Sequence, residues 1–265
     1  MGTMELLLGS AAVVGCTVLL CELLRWIFRR AVPAGLGRDL AMEVVSTLQL
    51  CCCTRENVLL GTKVTFQLWQ SLSLTYLLTV LHCATSQGAT CNPCGSLDQW
   101  LRGLVRSSHT PLRVLAQFAG AALSRVLMPH FWSLGLSPLH LLDKDCESFL
   151  KITSLSGVLV EMTCSLSLFL ILHLLPGVSA PLQPHVVATA ITVIVYEGGP
   201  LTGAVFNPAL AFAIVFWCHG NTHLQNIFVY WIGPLIGAAI SFLLLEYILP
   251  KFRLTKVSSE RMKKD

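Results

Sequence analysis

The sequence predicts an all-α polytopic membrane protein built as an inverted repeat, with two short half-helices that enter the bilayer without crossing it. Three observations predict this fold class. Of the 265 residues, 54% are hydrophobic and 12% are charged, whereas soluble domains carry about 25% charged residues. The apolar residues form long blocks, as membrane spans do. The dipeptide Asn-Pro occurs once in each half of the chain, at Asn92-Pro93 and at Asn207-Pro208.

The chain contains seven long apolar blocks, several of which approach the length of about 20 residues that a membrane-spanning helix needs. They lie at about 5–28, 40–60, 64–84, 112–135, 149–175, 185–200 and 227–249. Two shorter apolar stretches, 92–104 and 207–218, each begin at an Asn-Pro pair. Because these two stretches are too short to cross a bilayer, we predict that they are re-entrant half-helices.

The first block is predicted to be an extra, uncleaved N-terminal anchor helix. A cleaved signal peptide is the alternative, but its positive charge would precede the apolar run. Here Glu5 precedes the run, and Arg25, Arg29 and Arg30 follow it. The excess of arginine at this end places it in the cytoplasm.

The blocks and the charges divide the chain into three predicted parts. They are an N-terminal anchor helix and basic linker (1–38), a membrane domain (39–250, with halves at about 39–135 and 149–250) and a basic cytoplasmic tail (251–265). The acidic loop that contains Asp143, Asp145 and Glu147 is expected on the opposite side of the membrane from the tail.

Matching landmarks in the two halves indicate an internal repeat. Glu43 and Glu161 each lie four residues before a hydroxyl-bearing residue on the same predicted helix face. Glu43 precedes Asn92 by 49 residues, and Glu161 precedes Asn207 by 46. Three crossings per half is an odd number, so the second half must run upside down. An inverted repeat of this kind brings its two broken segments together near the membrane midplane, where transport pathways lie.

The Asn-Pro pairs have a physical explanation as helix starts. Asparagine is a favoured N-cap residue, and proline suits the first helical position because its missing N–H would be unpaired there. Each helix start carries a partial positive charge of about half an elementary charge. Two starts that meet tip to tip would repel protons and cations, while the asparagine amides donate hydrogen bonds to a neutral oxygen. The pattern predicts a channel for small uncharged solutes.

The buried glutamates are expected to support these helix starts. A charge inside the bilayer is costly and needs partners. We therefore expect Glu43 and Glu161 to accept backbone N–H groups of the two re-entrant loops. The alternative for each glutamate is a charge that faces a pore or a helix end.

Two other classes of protein compete with the channel. One is a non-conducting structural or adhesion protein on the same scaffold, and the other is a seven-span receptor, which would show no internal symmetry. The sequence contains neither His-Glu-x-x-His nor Gly-x-Ser-x-Gly, so no enzyme is expected. No cofactor, metal site or nucleic-acid partner is expected either.

The 11 cysteines lie mostly in apolar runs, which is typical of free thiols that act as small hydrophobic residues. Cys146, in the non-cytoplasmic loop, is a candidate for a disulfide whose partner the sequence does not identify. Cys94 could tune the width of a pore or sense oxidants, but the simpler interpretation is packing against the opposite half-helix.

The motifs resemble those of one known family. Asn-Pro-Cys at 92–94 and Thr-Gly-Ala-Val-Phe-Asn-Pro-Ala at 202–209 resemble the paired signature boxes of the aquaporin (major intrinsic protein) family. Cys94 and the run Gln-Leu-Cys-Cys-Cys-Thr at 49–54 are similar to the unorthodox, Asn-Pro-Cys-bearing members. The resemblance covers about residues 40–250. It implies six spanning helices, two half-helices, a homotetramer in the lipid bilayer and one pore per protomer. The implied pore signature is Asn92, Pro93, Cys94, Asn207, Pro208 and Ala209.

The resemblance also implies a second constriction, the selectivity filter, usually formed by an aromatic residue, a histidine and an arginine. The corresponding residues here are apolar: Leu72, Val195, Ala204 and Leu210. Without the usual arginine and histidine, the filter is expected to pass glycerol or hydrogen peroxide as well as water. The unorthodox members are associated with these solutes in the endoplasmic reticulum. That compartment is therefore the expected location, with other intracellular vesicles or the plasma membrane as alternatives.

Overall fold

The computed structural model describes residues 3–141 and 145–249, and this part of the chain is helical almost throughout. Its α-helices are α1 (Thr3–Ala31), α2 (Leu36–Lys63), α3 (Leu68–Thr85), α4 (Pro93–Leu101), α5 (Thr110–Ser133), α6 (Ser154–Leu174), α7 (Gln183–Thr202), α8 (Pro208–Ile214), α9 (His223–Ile227) and α10 (Gly233–Leu243). Short 3₁₀ turns occupy Pro138–Leu141, Leu175–Gly177 and Ala180–Leu182. The predicted basic tail at 251–265 and Asp143 of the acidic loop lie outside the described residues.

The predicted all-α membrane fold is confirmed, although several boundaries move. The last span runs continuously over His223–Ile248, with π-helical turns before and after α10. The third span begins at Leu68 rather than 64, because Gln67 forms an N-terminal capping box there with Gln70. Both half-helices end earlier than predicted, α4 at Leu101 and α8 at Ile214.

Within residues 3–141 and 145–249, three helices are long and apolar enough to cross a membrane on length and composition alone. They are Met4–Ala31, Ser154–Gly177 and His223–Ile248. Helix α2, with 28 residues, is longer than α6, with 21. It is less apolar because it carries Glu43 and Glu56 in its interior, and both side chains are buried. Such charges are tolerated in a spanning helix when they face the bundle and find partners there.

The two halves pack their helices in the same way. A Cβ atom added to Gly120 in α5 would come within 2.5 Å of the carbonyl oxygen of Val44 in α2. A Cβ atom on Gly237 in α10 would collide in the same manner with the carbonyl oxygen of Met162 in α6. Glycine therefore allows each helix pair to approach backbone to backbone, as small residues do in membranes. Val44 and Met162 directly follow the two buried glutamates. The close contacts therefore fix the position of Glu43 relative to α5 and that of Glu161 relative to α10.

A disulfide closes the bundle on the side of the acidic loop. Cys146, whose partner the sequence left open, is bonded to Cys218, which lies four residues after the end of α8. The backbone N–H of Ser148 donates to the carbonyl of His219 at 2.7 Å, and the N–H of His219 donates to the carbonyl of Cys146 at 2.9 Å. The disulfide and these two bonds tie the exit of α8 to the segment that leads into α6.

Candidate functional site

Each half-helix begins at the predicted asparagine. The Oδ1 atom of Asn92 accepts the backbone N–H of Cys94 at 2.9 Å, and Pro93 occupies the first position of α4. The Oδ1 atom of Asn207 accepts the N–H groups of Ala209 at 3.0 Å and Leu210 at 3.2 Å. Pro208 likewise opens α8. Both side chains therefore cap their own helices, as expected for asparagine before proline.

The two caps also bind each other's loops. The Nδ2 atom of Asn92 donates to the carbonyl of Phe206 at 3.1 Å, and Nδ2 of Asn207 donates to the carbonyl of Cys91 at 2.9 Å. Phe206 and Cys91 are the residues that precede the two asparagines. The exchange is reciprocal, so the starts of α4 and α8 lie side by side, with Asn92 and Asn207 only 8% and 6% exposed.

This contact changes one expectation about the amides. From the sequence, both amide NH₂ groups are expected to donate to a passing neutral oxygen. Each amide carries two hydrogens, and one hydrogen of each is engaged by the opposite loop.

The residues before the two asparagines have an uncommon backbone conformation. Cys91 has a φ of 53° and Phe206 a φ of 34°, in the left-handed region that non-glycine residues rarely enter. Such a conformation costs about 1–3 kcal/mol and persists only where the surroundings hold it. Here it turns each carbonyl toward the opposite asparagine.

The two buried glutamates bind the backbone N–H groups of these strained residues. Glu43 accepts the N–H of Thr90 at 3.1 Å and the N–H of Cys91 at 3.0 Å, one on each carboxylate oxygen. Glu161 accepts the N–H of Val205 at 3.1 Å and the N–H of Phe206 at 2.6 Å, again one on each oxygen. Each carboxylate thus binds two consecutive backbone N–H groups of its loop.

Hydroxyl groups complete both carboxylate sites. Thr90 Oγ1 donates to Glu43 at 3.0 Å, and Thr202 Oγ1 donates to Glu161 at 2.6 Å. Glu43, Glu161 and Thr202 are buried, at 2%, 0% and 0% exposure. Hydrogen bonds to an ionised acceptor are stronger than neutral ones, which makes these sites rigid supports for the loops.

The sequence did not single out two residues that support the loops. Gln117 in α5 donates through Nε2 to Glu43 at 3.1 Å and to Thr90 Oγ1 at 2.7 Å. The hydroxyl of Tyr230 donates to the carbonyl of Thr202 at 2.7 Å. The sequence signal that could have identified Gln117 is a polar side chain between the small residues Ala116 and Gly120 of an apolar block.

The third residue of each signature box anchors its half-helix in the opposite half of the protein. Cys94 is fully buried and packs in an apolar cluster with Phe169 of α6 and Ala238 of α10. The sequence-based expectation that Cys94 packs against the opposite half-helix is therefore wrong, because its neighbours are spanning helices. The half-helices are interlocked through these contacts.

Ala209, the counterpart of Cys94, is also fully buried. It packs with Cys51 of α2 and Ala121 of α5 in the first half. The third box residue of each half-helix thus packs against the two glycine-packed helices of the other half, α6 and α10 for Cys94, and α2 and α5 for Ala209. This exchange is what the inverted repeat predicts.

The four predicted filter residues fall into different packing groups. Val195 and Ala204 lie in one apolar cluster with Phe206. Leu72 lines a cleft between α3 and α7 together with Thr192, which lies one helical turn before Val195. Leu210 packs in the clusters around α8. The structure brings Val195 and Ala204 together and places Leu72 beside the same face of α7. Leu210 lies apart from these three residues, in clusters that join α8 to the neighbouring spanning helices.

Comparisons with known proteins agree with this architecture. The sequence profile of the family described as Major intrinsic protein matches residues 62–245. Aquaporin-11 of Equus caballus is 36% identical over 88% of this chain and 87% of its own length. Aquaporin-12 of Mus musculus is 34% identical over 89% of this chain and 84% of its own length.

The fold is also similar to a solved structure, that of the aquaglyceroporin from Plasmodium falciparum. The TM-score is 0.67, and the likeness covers 83% of this chain and 100% of the other. The sequence identity is 16%, so this likeness concerns the fold alone.

Proposed function

The chain belongs to the major intrinsic protein family, the aquaporins, and is an integral membrane channel for small solutes; we propose that it passes water, glycerol and hydrogen peroxide and excludes protons. The observation that carries the proposal is the reciprocal bonding of the two asparagines. Asn92 donates to the loop of α8, and Asn207 donates to the loop of α4. This arrangement juxtaposes two helix N-termini inside the bundle.

Proton exclusion follows from the charges at that point. Each half-helix start contributes about half a positive elementary charge. Two such starts side by side oppose the passage of any cation, including a hydrated proton. Each asparagine retains a second amide hydrogen that can donate to a neutral oxygen. The region between the two helix starts therefore favours the oxygen of a hydroxyl group or of water and disfavours a cation.

The proposed selectivity follows from the apolar filter. Leu72, Val195, Ala204 and Leu210 carry neither a fixed charge nor a hydrogen-bonding ring. A constriction of this kind discriminates by size rather than by hydrogen bonding, which favours glycerol and peroxide alongside water. The grouping of Val195 with Ala204, and of Leu72 beside the same face of α7, supports part of this assignment.

We place the protein in the endoplasmic reticulum as a homotetramer. The disulfide between Cys146 and Cys218 supports an oxidising compartment on that side of the membrane, as in the reticulum lumen. The arginines at the end of α1, Arg29 and Arg30, are exposed and support a cytoplasmic location for that end.

Stopped-flow light scattering of proteoliposomes tests the proposal. Purified full-length protein is reconstituted, and the vesicles are challenged separately with osmotic, glycerol and peroxide gradients. We expect flux above that of empty vesicles for these neutral solutes, with no accompanying proton leak. Flux equal to that of empty vesicles for all three would overturn the channel and favour a non-conducting structural protein on the same scaffold.

A further inference from the structure

The extra helix α1 contains a charged side chain that the channel proposal does not use. Arg25 is completely buried, although it lies in a helix that is apolar enough to span a membrane. An arginine near a helix end ordinarily extends its charge toward water, as the exposed Arg29 and Arg30 can. A buried intramembrane arginine is costly and is retained where its partners matter.

The partners of Arg25 lie on α2. Its Nε atom donates to Ser46 Oγ at 3.2 Å, and its Nη2 atom donates to Gln49 Oε1 at 2.8 Å. A third bond joins Nη1 to Glu22 on α1 itself. Ser46 and Gln49 are both buried, and Ser46 lies three residues after Glu43 on the same helix.

Arg25 sets the direction of the hydrogen bonds that these partners make. A guanidinium group can only donate, so Ser46 and Gln49 must accept from it and turn their own donors elsewhere. Ser46 Oγ donates to the carbonyl of Ser86 at 3.3 Å. Gln49 Nε2 donates to Thr85 Oγ1 at 2.7 Å. Both donors thus point to the junction between α3 and the first re-entrant loop.

That junction is a strained reversal of the chain. Ser86 accepts the N–H of Ala89 at 3.1 Å, and the two residues between them, Gln87 and Gly88, both have positive φ, 54° and 84°. Positive φ at both central positions suits glycine or asparagine and is unfavourable for glutamine. The side chain of Gln87 is held by a second arginine of α1, because Arg29 Nη1 donates to Gln87 Oε1 at 2.6 Å.

We propose that Arg25 and Arg29 make α1 a positioning element of the channel, which sets the turn at 86–89 and through it the place of Asn92. The turn leads directly into Thr90 and Cys91, whose N–H groups bind Glu43. The loop before Asn92 is therefore held from two sides, by α1 at its start and by Glu43 at its end. The inference rests on the proposed function in one respect, since the place of Asn92 matters for transport only if the protein is a channel.

The far end of α1 is fixed as well, which makes the helix a rigid support. Ser10 Oγ donates to the buried Glu56 of α2 at 2.7 Å. Glu56 also accepts from Trp132 Nε1 of α5 at 2.7 Å. A Cβ atom on Gly9 would lie 2.5 Å from Ser137 Oγ, so α1 also approaches the segment after α5 closely. Helix α1 is thus attached near both ends rather than lying loosely against the bundle.

The loop of α8 provides an internal reference. It follows α7 directly, and its N–H groups at Val205 and Phe206 bind Glu161. Arg25 and Arg29 make none of these bonds. A change that acts through α1 should therefore accelerate exchange in the loop at 86–92 more than in the loop at 202–207, which it reaches only through the bonds of Asn92 and Asn207. A general loss of stability should accelerate exchange equally in both loops.

Peptide-resolved hydrogen exchange on the purified full-length protein tests the inference. The variants are Arg25→Gln, which leaves a partly exposed Glu22 unpaired, Arg29→Gln, and the control Arg30→Gln. Arg30 neighbours Arg29, but its guanidinium stacks over Trp26 instead. We expect amides at 86–92 to exchange about five- to tenfold faster in Arg25→Gln, the change that loss of about one net hydrogen bond produces. Arg29→Gln should give a smaller acceleration, and Arg30→Gln none.

Other outcomes would overturn the inference. Unchanged exchange at 86–92, or equal acceleration at 86–92 and 202–207, would mean that Arg25 serves only the stability of the bundle. If Arg25→Gln does not fold, the comparison of Arg29→Gln with Arg30→Gln decides, and equal exchange in those two contradicts the proposal. Hydrogen exchange can be measured whether or not the protein conducts solutes. A failure of the channel proposal would therefore be seen separately, in the vesicle flux measurement.

Discussion

The side-chain amide of Asn92 donates to the backbone carbonyl of Phe206, 3.1 Å away and 114 residues later in the chain. Asn92 belongs to the first half of the repeat and Phe206 to the second. The N–H of Phe206 binds Glu161 at 2.6 Å. A continuous set of bonds therefore joins a buried carboxylate of one half to the half-helix start of the other, and several predictions test its parts.

Replacing Glu161 with glutamine should weaken the loop of α8. One carboxylate oxygen becomes an NH₂ group, which faces an N–H of Val205 or Phe206 and cannot accept from it. We expect a loss of about 2–4 kcal/mol in the free energy of unfolding, the usual effect of an unsatisfied buried donor and a lost charge-assisted bond. Thermal unfolding in detergent measures the change. Glu197→Gln, at an exposed site on α7, is the control, and equal melting temperatures for the two variants would contradict the assigned role.

Adding a methyl group at Gly237 should separate α10 from α6. The new Cβ would collide with the carbonyl of Met162, a backbone atom that cannot turn aside. Overpacking of this kind costs about 1–3 kcal/mol, and it would displace the adjacent Glu161. Gly61→Ala on α2 has no atom within 4 Å of its Cβ and should be neutral or slightly stabilising. A Gly237→Ala protein as stable as Gly61→Ala would show that the close approach is not required.

Cysteine replacement should reveal the contribution of the disulfide. Cys146→Ser removes the link to Cys218, which spans 72 residues, and should cost about 2–4 kcal/mol in unfolding free energy. Reducing agent should lower the melting temperature of the wild type and leave that of Cys146→Ser unchanged. Cys16→Ser, at an exposed free thiol, should behave as the wild type does. A wild type that is insensitive to reduction would mean that the bond does not form.

An arginine at Leu210 should restore a charge to the proposed filter. We expect Leu210→Arg to reduce glycerol permeability several-fold more than water permeability, because a narrower, charged constriction excludes the larger solute first. Solute-by-solute stopped-flow measurements provide the comparison. The control is Leu104→Arg, which adds the same charge at an exposed loop position. An equal reduction of both permeabilities by Leu210→Arg would indicate that the side chain does not face the path.

The sequence predicted those parts of the fold that depend on local chemistry. Asn-Pro identified both half-helix starts because capping is decided within three residues, and the spacing to Glu43 and Glu161 indicated the repeat. Long-range geometry was beyond it. The reciprocal bonds to Phe206 and Cys91 depend on positive φ angles at these two residues, and neither residue type indicates such a conformation.

Packing partners were also outside the reach of the sequence. Cys94 was assigned to the wrong neighbour, because the interlocking of α4 with α6 and α10 is set by the tertiary arrangement. The disulfide partner Cys218 could not be chosen among several cysteines by spacing. The burial of Arg25 could not be predicted from the sequence either. An arginine near the end of an apolar helix, considered alone, indicates a membrane boundary.

The central claim is that two capped helix starts, bonded to each other by Asn92 and Asn207, form the point where neutral solutes pass and protons do not. Parallel measurement of neutral-solute flux and proton flux in vesicles containing wild type or Asn207→Asp tests it most directly. The aspartate cannot donate to Cys91, and its negative charge offsets the helix-start field. The account predicts that the flux of neutral solutes falls several-fold and that proton leak rises. The same two changes are expected in Asn92→Asp. Wild-type values of both fluxes in Asn207→Asp would contradict it.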